Sequence, residues 1–327
     1  MSAPDDGSSG GASRDGYGAG LLRIAGDPRV VVLEADLGKS TKSCHFRSEY
    51  PSRSFSMGIA EQNMMLVAAG MASSGKVPFA STFAIFTERA FEQIRNGIAR
   101  SGLTVHICGS HGGIHTGTDG SSAQSIEDLA IYRTIPGMAV MHPCDDLSAE
   151  QLTTQLLDYE GPTYMRTARN KTARIYDTES PSSMPLVSAL RIGRGSVIRE
   201  GGDVCIIACG VMVNAAMKAA ALLEFGNGLQ ASVVDMHTLK PLDGALIDAM
   251  ASTCGCIVTA EDHSVIGGLG GAVAEHLSRT SAVPLEMVGV SDKFGQSGRP
   301  SELMKNLGLT MDDIVLSAMR AISRKSG

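Results

Sequence analysis

Two consecutive three-layer α/β domains with mostly parallel sheets are what this sequence predicts, and three observations predict them. Short apolar runs alternate with segments of helical period along the chain, the pattern of strands layered between helices. At 327 residues the chain exceeds what a single hydrophobic core ordinarily supports, about 250–300 residues. Residues 170–190 carry Thr, Ser and Pro with little periodicity and read as a connection between domains. The predicted division is a disordered Gly/Ser/Asp-rich tail over 1–15, a first domain over 16–185 and a second over 186–327.

The elements follow in order. The run from Val30 to Ala35 predicts a first strand, and residues 59–74 a helix whose Ala68, Ala69, Gly70 and Ala72 permit close packing. A strand over 77–82 precedes a helix over 86–100, with Phe86, Ala90, Phe91, Ile94 and Ile98 along one side. A strand over 103–108 runs into a Gly/His-rich loop reaching Ser125. A strand at 138–141, a helix near 147–158 and a strand at 163–166 complete the first domain. In the second, strands over 203–208, 230–235, 255–260 and 284–288 alternate with helices near 211–225, 243–253, 267–279 and 311–324.

Composition narrows the function classes. A net charge of −6 and the lack of Lys/Arg blocks argue against nucleic-acid binding. No apolar run approaches the roughly 18 residues a membrane helix needs, and a secretory leader is not expected, so the chain reads as cytoplasmic. Seven cysteines, an odd number without zinc spacing, read as reduced thiols. Aromatic residues are only 4% of the chain, so two phenylalanines three apart at one strand end stand out.

Those phenylalanines lie in Thr82-Phe83-Ala84-Ile85-Phe86, downstream of Met57-Gly58-Ile59-Ala60-Glu61-Gln62-Asn63-Met64. A carboxyl entering a helix after a glycine, followed by paired aromatic rings, suits a flat heteroaromatic ring that must be stacked and protonated. A carboxyl in apolar surroundings tends to keep its proton and can share it with a ring nitrogen. Further on, Ser110-His111-Gly112-Gly113-Ile114-His115-Thr116-Gly117-Thr118-Asp119-Gly120 places two histidines and a carboxylate in a glycine-rich loop. Imidazole there can donate to an oxyanion and titrates near neutrality. Arg166 and Arg169 follow the last strand of the first domain, and arginine suits bidentate binding of phosphate or carboxylate.

Together with Gln93-Ile94-Arg95-Asn96, Gly117-Thr118-Asp119-Gly120 and Glu261-Asp262-His263, these segments resemble the transketolase family over nearly the whole chain after residue 16. The resemblance implies a pyrimidine-binding domain followed by the family's C-terminal domain, with thiamine diphosphate as cofactor. It makes Glu61 catalytic and assigns Phe83, Phe86 and Arg89 to the cofactor ring, Arg89 standing where the family commonly has a tyrosine. It makes His111 and Asp119 catalytic and substrate-contacting, and gives Arg169 to the substrate. His115, the second histidine of the loop, and His263 in the second domain are read as further substrate-binding candidates. The Gly-Asp-Gly magnesium motif with its downstream Asn is missing, so the Mg2+ ligands and the diphosphate site are expected on an N-terminal diphosphate-binding subunit. The implied assembly is an α2β2 heterotetramer built around a dimer of this chain. Ala123 stands where the family has a substrate-side histidine, which points away from an ordinary sugar-phosphate substrate.

The implied activity is two-carbon ketol transfer from a ketose-like donor to an aldehyde acceptor. Two alternatives remain open at this level. One is a 2-oxoacid-decarboxylating subunit similar to deoxyxylulose-phosphate synthase or a 2-oxoacid dehydrogenase β subunit. The other is a non-catalytic scaffold.

Overall fold

The computed structural model describes residues 10–179 and 184–325. Two sheets, each flanked by helices, form the molecule. The first-half strands are β1 (Val30–Glu34), β2 (Ser54–Ser56), β3 (Val77–Phe83), β4 (His106–Ser110), β5 (Ala139–Met141) and β6 (Thr163–Thr167). The second-half strands are β7 (Ser196–Arg199), β8 (Val204–Ala208), β9 (Ala231–Asp235), β10 (Thr238–Lys240), β11 (Ile257–Ser264) and β12 (Leu285–Val290).

Among the described residues the larger sheet runs β10-β5-β6-β4-β3-β1-β2 and the smaller β12-β11-β8-β9-β7. The central strands are parallel and buried, as their unbroken apolar character requires. The two antiparallel members lie at edges. One is β7 beside β9, and the other is β10, which leaves its own half to pair with β5. Sheet membership therefore does not follow chain order, and the halves share an edge. Buried residues of both halves accordingly fall in one core cluster, with Met64, Ile94 and Tyr132 alongside Ile207, Met236 and Ile247.

The connection between the halves is held by acid groups. Asp145, which caps the helix Asp146–Gln155, also accepts from the amides of Ile175 and Tyr176 at 2.8 and 3.2 Å. The Tyr176 hydroxyl donates to Asp235 Oδ2 at 2.8 Å. Asp235 is fully buried, and burial pushes its carboxyl up to about 7. Part of the predicted connection, residues 180–183, lies outside the described residues.

Two expectations are corrected. The tail predicted as disordered over 1–15 is structured from residue 10 within the described range, residues 1–9 lying outside it. A helix spans Ser13–Arg23 and packs along Asp146–Gln155. Its glycines, which made the segment look structureless, permit that approach: a Cβ on Gly16 would overlap the Asp146 carbonyl. Tyr17 and Leu21, four apart, point into the core.

The helix predicted over 86–100 is broken into Ala84–Arg89, Phe91–Gln93 and a π-helical turn over Ile94–Ala99. The apolar face continues across the break, with Ile94 and Ile98 fully buried, so the hydrophobic period survived while the hydrogen-bond register did not.

Candidate active site

The site gathers at the carboxyl ends of the parallel strands, where α/β sheets place ligands. Phe83 ends β3, Ser110 ends β4 and Thr167 ends β6, and the three are register partners in one row. A line of side chains starts beside that row.

Glu61 opens the helix Glu61–Ser73. The turn before it depends on Gly58 at φ +67°, a left-handed conformation that admits the chain from β2. The helix is fixed by Met64, Met65 and Ala68, all fully buried, so the Glu61 carboxyl is held on a rigid element. Glu61 is only 2% exposed, and its Oε2 pairs with Arg89 Nη1 at 3.0 Å. The sequence predicted apolar surroundings for this carboxyl; the structure instead supplies a counter-charge from the end of a short helix. That helix stops at Arg89, whose carbonyl accepts from Gln62 at 3.3 Å.

From Arg89 the line continues through rings. The guanidinium lies 5.6 Å from the Phe86 centroid, a cation–π distance. Phe86 and Phe83 are 5.6 Å apart at 10° between planes, and both are half-buried. Phe83 in turn stacks on the His111 imidazole at 4.0 Å and 19°. Parallel, half-buried aromatic rings beside a buried carboxyl suit a flat ring.

His111 sits at φ +63°, an uncommon conformation for a side chain of its size. Its Nε2 lies 3.5 Å from Arg14 Nη1, and its Nδ1 2.8 Å from Ser110 Oγ. Arginine has only protons to offer, so Nε2 accepts and the ring proton resides on Nδ1. Burial, reinforced by Arg14, Arg169 and Lys42, pushes His111 down to about 3. This corrects the expected titration near neutrality: His111 is a neutral acceptor facing cations.

Those cations form the far end of the line. Arg169 Nη1 reaches Asp119 Oδ1 at 3.5 Å and the Thr116 carbonyl at 3.1 Å. Lys42 Nζ pairs with Asp15 at 3.3 Å. Buried Arg14 Nε has no hydrogen-bond partner among the described residues. A group of cations with an unused buried donor is suited to an anionic ligand.

Two sequence-derived site residues are not in this line. The amide of His115 donates to Asp262 Oδ2 at 2.9 Å and its carbonyl accepts from Asn170, so its backbone serves the loop. His263 is corrected outright as a substrate ligand. It is 0% exposed, its Nδ1 is 2.7 Å from the Ser264 carbonyl, and its Nε2 accepts from the Ala130 amide at 3.3 Å. Both nitrogens are committed, and burial pushes the ring down to about 4. Ala123 closes a tight turn on the Gly120 carbonyl at 3.0 Å.

Sequence reasoning missed Arg14 and Glu88. The first was hidden in the segment read as a tail, although Tyr17 and Leu21 at helical spacing could have revealed the helix. Glu88 accepts from Ser125 Oγ at 2.5 Å, and burial pushes its carboxyl up to about 8. Nothing in the local sequence marks it.

The family description "Transketolase, pyrimidine binding domain" matches residues 13–174, and "Transketolase, C-terminal domain" matches 193–314. The chain belongs to the transketolase family. It is 40% identical to a protein of Methanocaldococcus jannaschii named a transketolase C-terminal section, over 95% of this chain and 96% of that protein. It is 41% identical to the 6-deoxy-6-sulfo-D-fructose transketolase subunit SqwH of Clostridium sp. strain MSTE9, over 96% of this chain and 95% of that subunit. Among solved structures it resembles a split-gene transketolase described as an inactive β4 tetramer. The TM-score is 0.86 at 43% identity, covering 97% of this chain and 100% of that one. Both α/β domains are thus those of transketolases, and membership of this family implies thiamine diphosphate use. No helix among the described residues is long and apolar enough to cross a membrane.

Proposed function

We propose that this chain is the C-terminal subunit of a split transketolase, active with an N-terminal subunit that binds the diphosphate and Mg2+. The observation that carries this reading is the unbroken line from Glu61 through Arg89, Phe86 and Phe83 to His111, ending among Arg14, Lys42 and Arg169. Its two ends match two tasks, a ring at one and an anionic sugar at the other. The residues fit the cofactor's pyrimidine: Glu61 is buried with an exchangeable partner, and the two phenylalanines are parallel and half-buried.

Thiamine diphosphate, when bound, supplies the carbon nucleophile that breaks the bond beside a donor carbonyl and carries a two-carbon unit to an aldehyde. Glu61 would share a proton with the ring nitrogen of the cofactor once it is bound. Arg89, which is 54% exposed on its side chain, is free to give up the carboxyl as the ring arrives. Phe83 and Phe86 orient the ring and exclude water from that hydrogen bond. His111 Nε2, kept unprotonated by burial and its cationic neighbours, accepts a hydrogen bond from a donor hydroxyl, and Asp119 binds another hydroxyl. Arg14, Lys42 and Arg169 bind a terminal anion. A sulfonated sugar, which the SqwH relative is named for, and a phosphorylated one share the charge this cluster selects.

The test is co-purification with a diphosphate-binding candidate, then calorimetry with thiamine diphosphate and Mg2+ and an assay of ketol transfer. Binding and transfer by the pair, with none by this chain, are expected. Release of carbon dioxide from a 2-oxoacid without ketol transfer would favour the decarboxylating reading, and unchanged activity in Glu61→Ala would leave only a scaffold.

A further inference from the structure

The loop carrying His111 and Asp119 is costly to hold in place. His111, Gly113, Gly117 and Gly120 all have φ between +63° and +83°, and the turn Ile114–Asp119 is broken at Gly117. Non-glycine residues at such φ persist only where surroundings over-determine them. The first domain holds the loop at its base, where the Gly113 amide donates to the Ser125 carbonyl at 2.7 Å. At the tip, Asn170 and Arg169 of the first domain bond the carbonyls of His115 and Thr116, while the amides of Ile114 and His115 are held from the second domain.

We propose that Asp262 is a positioning residue: its carboxylate clamps the substrate loop from the second domain and sets the placement of His111 and Asp119. The inference rests on the transketolase reading of that loop. Asp262 Oδ1 accepts from the Ile114 amide at 2.7 Å and Oδ2 from the His115 amide at 2.9 Å, across nearly half the chain. A carboxylate on successive amides at the start of a helical turn acts as a cap supplied in trans. Asp262 is 1% exposed, and its own carbonyl is fixed by Arg166 Nη1 at 2.7 Å, so the clamp is rigid. The Cβ that Gly113 lacks would strike the Asp262 carboxylate, which is why the loop comes so close.

The flanking residues are committed elsewhere. Glu261 accepts from the amides of Leu269 and Gly270, both at 2.7 Å, and His263 holds Ala130 and Ser264. Asp262 alone of the three reaches the loop. A second, lighter hold comes from Ser297, whose hydroxyl donates to the Thr118 carbonyl at 2.8 Å.

Two measurements test this on the full chain and its complex. In Asp262→Asn, amide exchange should quicken over residues 113–119 and stay unchanged in the helix Glu61–Ser73. In the reconstituted complex, with hydroxypyruvate as the ketol donor probe, the donor KM should rise about tenfold. Thiamine diphosphate affinity should not move, because the ring wall is untouched. Unchanged exchange over 113–119 overturns the clamp whether or not the complex is active. A fall in cofactor affinity matching the rise in donor KM also overturns it, since that is general destabilisation. Should Asp262→Asn fail to fold, Ser297→Ala, which releases the Thr118 end of the same loop, must show the same direction of change, or the inference fails. Glu61→Gln in the same assay separates the two claims. If that variant keeps full activity the transketolase reading falls, while the exchange data still decide the clamp.

Discussion

The two ends of the active-site line are built in opposite ways. The ring wall uses Glu61, Phe83, Phe86 and Arg89, drawn from 29 consecutive positions of one domain and carried on a helix start, a strand end and a short helix. The anion end collects Arg14, Lys42, His111, Asp119 and Arg169 from four separate segments, and the loop between them is held from the second domain by Asp262. On the proposed reading, the difference teaches that the wall for a ring cofactor can be packed into local geometry, whereas an end for an anionic substrate is assembled by tertiary contact. Removing a ring-wall residue should abolish the reaction with any donor; removing a loop-end residue should change which donor is taken.

The largest effect is expected at Glu61. Glu61→Gln cannot share a proton with the ring and should lower turnover of the reconstituted complex by about 10³-fold. Steady-state rates with two unrelated donors check it, and a loss confined to one donor would break the division between the ends.

Next comes Gly113→Ala. It forces a side chain into φ +83° and against Asp262, and should cost about 2–4 kcal/mol. Chemical denaturation reads this directly, and a variant as stable as wild type would show that the loop relaxes away from the second domain.

Arg14→Ala should raise KM for an anionic donor about tenfold while sparing a neutral one such as unphosphorylated erythrulose. Equal effects on both donors would mean that Arg14 serves only to hold His111.

A further effect sharpens the comparison away from the site, at the acid lock joining the halves. Asp235 in the fold titrates near 7, against an ordinary value of 3.8. Its folded pKa is raised, so the folded state holds a proton that the unfolded chain has released. Its stabilising contribution is present in acid and is lost as pH rises from about 4 through about 7. Asp235→Asn, which imitates the protonated form, should flatten the fall in stability across that window by on the order of 2 kcal/mol. Thermal melts from pH 4.5 to 8 measure it, and parallel curves for the two proteins would remove Asp235 from the lock.

Smallest is Phe86→Leu, which keeps the bulk and removes the ring. Thiamine diphosphate affinity of the complex should weaken by about 1 kcal/mol, with donor KM unchanged. Calorimetry would detect it, and an unchanged affinity would leave the stacking to Phe83.

What the sequence determined by itself were the features set by local rules. Apolar period and strand-type runs located the central strands and the helices Glu61–Ser73, Met212–Asn227 and Met311–Lys325, because burial of both strand faces, or of one helix face, leaves a pattern that neighbours cannot erase. The glycine-Glu61 turn and the Phe83/Phe86 spacing were legible for the same reason: each places its chemistry within a few residues. What only the tertiary structure decided were pairings between distant segments. The antiparallel β10 in the other half's sheet, the helix Ser13–Arg23 and the Arg89 counter-charge on Glu61 depend on partners far away in the chain. Protonation was decided there too. A histidine in a glycine-rich loop reads as a titrating group, but in the fold burial and three cations keep His111 neutral. His263 reads as a ligand, but its two nitrogens are occupied by the backbone of both domains. Periodicity records which face of an element is buried; it carries no record of which charge will lie opposite.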